Sequence, residues 1–261
     1  MKILVTVTEV AVPDDEFEID GLGIDERYLT YDLNEWDDYA IEEAVQLSEA
    51  HDDIEVVTAT VGPERVEETI RQGLAKGADR AIRVWDDALA EESLVDPGTK
   101  ARLLAGVANE EEPDLVLSGV QSGDISFGAT GVALAAELDY AWGAVVNELD
   151  LDRDASLATV HRELEGGVEE ITEVELPAVF TIQTGINEPR YASLRGIRQA
   201  QSKPLDVHAP ADFGVDDIDS SLSLSALEVP ETESDVTLLE GSAEETATEL
   251  AGLLGELGVE A

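Results

Sequence analysis

The chain has 261 residues, of which 60 are Asp or Glu and 15 are Lys or Arg, for a formal net charge of −45. It contains no cysteine, which excludes disulfides, thiolate chemistry and Cys-ligated metals, and no run approaches the roughly 18 apolar residues of a membrane helix, which excludes direct membrane insertion. The charge also argues against nucleic acid as a partner, because no basic patch survives in such a field.

At 43% hydrophobic residues the chain can bury a sizeable core, and its acids are spread throughout rather than gathered in a tail. The balance therefore reads as adaptation to molar salt rather than as disorder. There the Debye length is only about 3 Å, so self-repulsion is screened while carboxylates keep the surface hydrated. The chain opens on a strand pattern rather than on a secretory leader, and the expected location is the cytoplasm.

Residues 2–8 read as a first strand, with Ile3, Leu4, Val5 and Val7 in the nearly continuous run of a strand covered on both faces. Residues 11–33 are acidic and glycine-containing and read as a long excursion or short hairpin. A helix follows from residue 34, carrying Ile41, Ala44, Val45 and Leu47 at helical spacing, with Asn34 or Asp37 as cap and Trp36 as a hydrophobic staple or a face for adenine. Residues 54–61 give a second strand, closed by Gly62-Pro63. A helix with Val66, Ile70, Leu74 and Ala78 is broken by Gly77. Residues 80–85 give a third strand, and Pro97 opens a helix running to Ala108. Residues 115–119 form a fourth strand, and a further helix runs to about Leu138. Strands alternating with helices of this length predict a mostly parallel, Rossmann-like α/β sheet flanked by helices.

The pattern then changes. Residues 145–151 and 158–163 read as strands, Glu165-Gly166-Gly167 as a hairpin turn, and residues 168–176 as the returning strand. Another strand spans 177–184. Residues 187–198 gather Arg190, Arg195 and Arg198 around exposed-looking Tyr191, Leu194 and Ile197. From about residue 209 to 240 the chain is rich in Asp, Ser and Glu and reads as an arm. A last helix, residues 243–257, carries an apolar stripe of Leu250, Leu253, Leu254 and Leu257. The expected division is an α/β nucleotide-binding domain, 1–208, and an arm with terminal helix, 209–261.

The loop after the fourth strand is the strongest chemical signal. Gly119, Gln121, Ser122, Gly123 and Asp124 lead through Ser126, Phe127, Gly128 and Ala129 to Thr130 and Gly131, where an Ala/Leu-rich helix opens. Strand, glycine loop and helix N-terminus together make an anion site, with free N–H groups and the helix dipole both favouring negative charge. A nucleotide phosphate is one reading; a βα turn with small residues for close packing is the other. Asp124 cannot accept from a phosphate oxygen, so it orients the loop or caps the helix. His51, His161 and His208 are scattered and form no ligand set, and the Asp/Glu pairs read as solvated surface.

Three separated stretches resemble the β subunit of electron-transfer flavoprotein. Residues 34–45, Asn-x-x-Asp-x-Tyr-Ala-Ile-Glu-Glu-Ala-Val, look like its first-helix motif. Gly119-x-Gln121-Ser122-x-Asp124 with Thr130-Gly131 is similar to its nucleotide loop. Arg162-Glu163-Leu164-Glu165-Gly166-Gly167, Leu176-Pro177-Ala178-Val179 and Asn187-Glu188-Pro189-Arg190-Tyr191-Ala192-Ser193-Leu194 resemble its C-terminal signature, and Gly77-Ala78-Asp79-Arg80 agrees. The sequence departs from the family pattern at Thr8-Glu9, usually Lys-Arg; at Val120, usually Lys; at Ala129, usually Gln; and at residues 199–203, usually a lysine run.

The resemblance implies a heterodimer with an α subunit that carries most of the FAD contacts. This subunit would hold AMP, or a second FAD in bifurcating members. It would pass electrons from flavin dehydrogenases, as in fatty acid oxidation, to a quinone oxidoreductase at the membrane. No side chain here need act as acid, base or nucleophile. By the same resemblance Thr6, Asn34, Trp36 and Asp37, with Val61 nearby, form the adenosine side. The loop 121–131 meets the phosphate through main-chain N–H groups and the Thr130 hydroxyl. Residues 187–200 form the docking segment, with Asn187, Glu188, Pro189, Arg190, Tyr191, Ile197 and Arg198 around Leu194 as apolar anchor and the arginines as steering charges. The terminal stripe would pack on the α subunit. Two rival readings stand beside this one: a stress-type adenine-nucleotide-binding protein without redox partner, and an ATP-pyrophosphatase-like enzyme suggested by residues 118–124.

Overall fold

The computed structural model describes residues 1–92, 94–216, 218–229, 236 and 238–256. They fall into two compact units, Met1–Leu227 and Glu228–Ala261.

The first unit begins with β1 (Lys2–Thr6), then β2 (Glu9–Pro13), β3 (Ile19–Asp20), β4 (Gly23–Ile24) and β5 (Leu29–Leu33). α1 (Glu35–Ala50), β6 (Glu55–Val61), α2 (Glu67–Lys76), β7 (Arg80–Val84), α3 (Asp87–Glu91) and α4 (Pro97–Glu111) follow. After them come β8 (Leu115–Gly119), α5 (Thr130–Leu138), β9 (Ala141–Val146), β10 (Glu148–Asp152), β11 (Leu157–Leu164) and β12 (Val168–Glu175). β13 (Ala178–Ile182), α6 (Leu194–Ala200) and β14 (Leu205–His208) complete its regular elements, and α7 (Ala243–Glu256) is the helix of the second unit.

Seven strands form one sheet in the order β14-β7-β6-β1-β8-β13-β9, every neighbouring pair parallel. The apolar runs of these strands are continuous because alternate residues enter two covered faces. Ile3, Val5, Leu115, Leu117, Phe180 and Ile182 pack on one face with Ile41 and Val45 of α1 and Ile70 and Leu74 of α2. Leu4, Val57, Val116 and Val179 pack on the other with Leu103 and Val107 of α4 and Leu134 of α5. Phe180 is fully buried at the centre of the first face; truncation of such a side chain to alanine costs about 3–5 kcal/mol.

From β1 the chain winds outward through β6 and β7, then returns to place β8 on the other side of β1. The β1/β8 junction is therefore the topological switch point, and the crevice outside the carboxyl ends of these strands is where such sheets bind ligands.

Several expectations are revised. Residues 145–151 are not one strand. Val145 has a left-handed φ of 62° and its N–H bonds Thr181 Oγ1 at 2.8 Å, so the β9·β13 register shifts. The chain leaves the main sheet there and enters the three-stranded antiparallel sheet β10-β11-β12. Gly77 ends α2 rather than breaking it: its φ is 146°, and a Cβ there would meet Val45 Cγ1 at 2.7 Å. The excursion at 11–33 holds the β2·β5 hairpin with the short β3·β4 ladder inside it. Beyond residue 208, Phe213, Val215 and Ile218 pack on the α4 face, and a Cβ at Gly106 would lie 2.7 Å from Phe213 Cβ. In the second unit Leu250, Leu253 and Leu254 are exposed on α7; Leu257 lies outside the described residues.

Candidate nucleotide cleft and docking segment

The ends of β1 and β8 are held together by one carboxylate. Asp37, in the first turn of α1, accepts from Thr8 N at 2.7 Å and from Gly119 N at 2.9 Å. Gly119 must be glycine, since a Cβ would come within 2.5 Å of Asp37 Oδ1 and 2.6 Å of Trp36 Cβ. Burial pushes the Asp37 carboxyl up to about 6, although these hydrogen bonds pull the other way.

Asn34 sits at the N-cap position of α1 but does not cap it. Its Nδ2 donates to Gln121 O at 2.9 Å and its Oδ1 accepts from Gly123 N at 3.2 Å. One side chain thus satisfies the backbone of the loop from both sides. Ser126 N and Oγ both donate to Ser122 O, at 3.1 and 3.0 Å, with Ser126 at a φ of 56°. Asp124 orients the loop: Oδ1 accepts from Ile125 N at 2.7 Å and Oδ2 from Ala11 N at 3.4 Å. It does not cap α5, whose N-cap is Ala129 with no side-chain cap. The first N–H groups of α5 therefore remain available to an anion.

Between these elements lies a cleft that opens to solvent, placed where sheets of this kind bind ligands. Thr6, Asn34, Asp37 and Val61 line it, and so do Gln121, Ser122 and Phe127 to Thr130. Gly123, Asp124, Ser126 and Gly131 lie outside the lining. Gly131 instead allows close packing, since a Cβ there would meet Thr181 Cγ2 at 2.6 Å. Trp36 is not a wall of the cleft: its indole N–H donates to Gln183 Oε1 at 3.0 Å. Pro97, Lys100 and Leu104 of α4 also line it. Sequence reasoning missed Lys100, which reads as an ordinary helix residue. Its place in the first turn after Pro97, in a chain with only four lysines, is the signal that marks it. Among the described residues no cluster of His, Asp and Glu is arranged to hold a metal.

The second region hangs on the other end of the same helix. Asn187 Nδ2 donates to Tyr39 O at 3.1 Å and to Glu43 Oε2 at 2.9 Å. Arg190 reaches Glu42 at 2.8 Å and Glu49 at 2.6 Å. Burial pushes Glu42 up, but hydrogen bonds from Arg190 and Gln46 outweigh it and hold the carboxyl below its ordinary value. Burial raises Glu43 more than the Asn187 bond lowers it. Arg190 is thus an internal tie rather than a free steering charge.

Ser193 caps α6 by accepting from Gly196 N at 3.0 Å, and Gly196 lets α6 sit directly on α2, where a Cβ would be 2.3 Å from Ala75 O. This short helix was not expected. The segment presents Tyr191 just before the helix, 99% exposed, and Leu194, 78% exposed, and Ile197, 46% exposed, on it. Glu188, Arg195 and Arg198 are exposed around them, and Pro189 is half-buried.

Residues 21–213 match the electron transfer flavoprotein domain. The chain is 44% identical to the electron transfer flavoprotein subunit beta of Methylophilus methylotrophus, over 98% of each chain. It is 37% identical to the Homo sapiens subunit beta, over 92% of this chain and 90% of the human one. It is 36% identical to the mitochondrial subunit beta of Arabidopsis thaliana, over 90% of this chain and 92% of the plant one. Likeness of this extent displaces both rival readings, the stress-type nucleotide binder and the pyrophosphatase-like enzyme. The chain belongs to the electron transfer flavoprotein β-subunit family.

Proposed function

We propose that this chain is the nucleotide-holding and partner-docking half of a heterodimeric electron carrier. An α subunit carries most of the contacts to FAD, and that flavin supplies the redox chemistry. The β chain holds AMP, or a second FAD, in the cleft at the β1/β8 junction. It docks flavin dehydrogenases through Tyr191, Leu194 and Ile197, with Arg195 and Arg198 as the exposed charges, and the electrons pass on to a quinone oxidoreductase at the membrane. Among the described residues no helix is long and apolar enough to cross a membrane. The complex works in the cytoplasm, in molar salt.

The observation that carries the nucleotide half is the uncapped start of α5 beside a loop that Asn34 holds at Gln121 O and Gly123 N. The residues fit a nucleotide: Val61 and Leu104 offer apolar walls, and the N–H groups of α5 offer an anion site. The docking half is supported by three apolar side chains standing in water on a clamped segment. The exposed leucines of α7 supply a surface for the α subunit. The reading is tested by co-expressing the chain with its α partner. The expected product is a yellow heterodimer that accepts electrons from a flavin dehydrogenase; a colourless chain that purifies alone would contradict it.

A further inference from the structure

The four lysines of this chain are treated very differently. Lys2 pairs with Glu111 at 2.8 Å and Lys76 with Asp38 at 2.5 Å. Lys203 donates to the carbonyls of Leu74 and Ala78 at the end of α2, at 3.0 and 2.5 Å. Lys100 lines the cleft, and among the described residues its ammonium donates no hydrogen bond and makes no ion pair.

That is unusual where 60 carboxylates compete for 15 cations. Burial disfavours the charged form of Lys100, while the charges of Asp37 and Asp124 favour it. Neither carboxylate closes on it, because Asp37 is spent on Thr8 and Gly119, and Asp124 on Ile125 and Ala11. A partly buried ammonium without a partner is costly, and an anion inside the cleft removes that cost. A phosphate suits it, since lysine binds phosphate as a point charge. A charge so placed is also screened less by salt than an exposed one.

We propose that Lys100 binds the phosphate of the nucleotide in this cleft, together with the N–H groups at the start of α5, and so selects a phosphorylated over an unphosphorylated nucleoside. This rests on the nucleotide reading of the cleft.

The test is calorimetry on the full chain, freed of co-purified nucleotide, with AMP and adenosine at one fixed salt concentration. In wild type AMP binds more tightly than adenosine. Lys100→Met weakens AMP roughly 10–100-fold, the range of a charge-assisted hydrogen bond, leaves adenosine unchanged, and Lys100→Arg restores part of the loss. The proposal is overturned if AMP affinity falls by less than about threefold, if adenosine falls equally, or if wild type binds the two equally tightly. If wild type binds neither, the nucleotide reading itself fails, and inorganic pyrophosphate decides on Lys100. Thermal stabilisation of wild type but not of Lys100→Met supports an anion site there; equal or absent stabilisation overturns it.

Discussion

The cleft and the docking segment hang on the same helix and are built from opposite material. At the start of α1, Asn34 and Asp37 are buried and fully occupied with backbone N–H and C=O groups. Further along, Glu42 and Glu49 hold Arg190 so that apolar side chains can stand in water. At the start of α1 the side chains are structural, and they leave the main chain of α5 and the Lys100 ammonium to the ligand. In the docking segment the ties are structural and the side chains are offered to the partner. The two regions should therefore fail in different ways: cleft changes through stability, docking changes through rate.

Salt is the bluntest way to break this contrast, because it acts on both regions. With a net charge of −45, moving from molar KCl to dilute buffer should cost several kcal/mol and lower the melting temperature on the order of 10 °C or more. A melt unchanged between the two would remove the argument for salt adaptation.

Asp37→Ala comes next. It leaves the N–H groups of Thr8 and Gly119 without an acceptor, at about 1–3 kcal/mol each, and stabilisation by nucleotide disappears with it. A pH series sharpens the point. The folded-state pKa of Asp37 is raised, to about 6, so the folded state holds its proton longer than the unfolded state does. Relative to Asp37→Asn, wild type should lose stability as pH rises from about 4 to about 6, then run parallel above. Parallel curves throughout would show that burial does not govern this group.

Leu194→Ala should do the reverse. The side chain is 78% exposed, so the melting temperature stays put. Loss of an apolar anchor worth about 2 kcal/mol slows electron receipt from the dehydrogenase roughly 30-fold. An unchanged rate would leave the docking segment without its anchor.

The smallest effect belongs to Arg190→Gln. It removes a half-exposed tie worth about 1 kcal/mol after solvent screening. The folded-state pKa of Glu42 is depressed, so this contribution is present above pH ~4.5 and is lost as pH falls through the folded value. Denaturant melts at pH 7 and pH 3 that show the same deficit would contradict the pairing.

The sequence carried the parallel sheet because its strands are apolar on both faces, as in residues 3–5 and 115–117. It carried the loop because Gly119 and the small residues after it announce a close approach. It could not carry what long-range pairing decides. Asn34 looks like a helix cap and spends both polar atoms on a loop 87 and 89 residues away. Arg190 looks like a free charge and is claimed by carboxylates 148 and 141 residues earlier in the chain. Residues 194–200 contain a glycine and three polar side chains, too short a stretch for helical periodicity to register. For Lys100 the sequence offers only its rarity and its place after Pro97; the fold brings the first turn of α4 to the β1/β8 junction.

The central claim, a nucleotide-holding subunit of a flavin carrier, is tested most directly by counting. The purified heterodimer is denatured and its released FAD and AMP are quantified per pair of chains. The account predicts one FAD and one AMP, or two FAD if the cleft takes the second flavin. A complex that releases flavin from the α subunit alone, with no nucleotide left for the cleft at the β1/β8 junction, would contradict it.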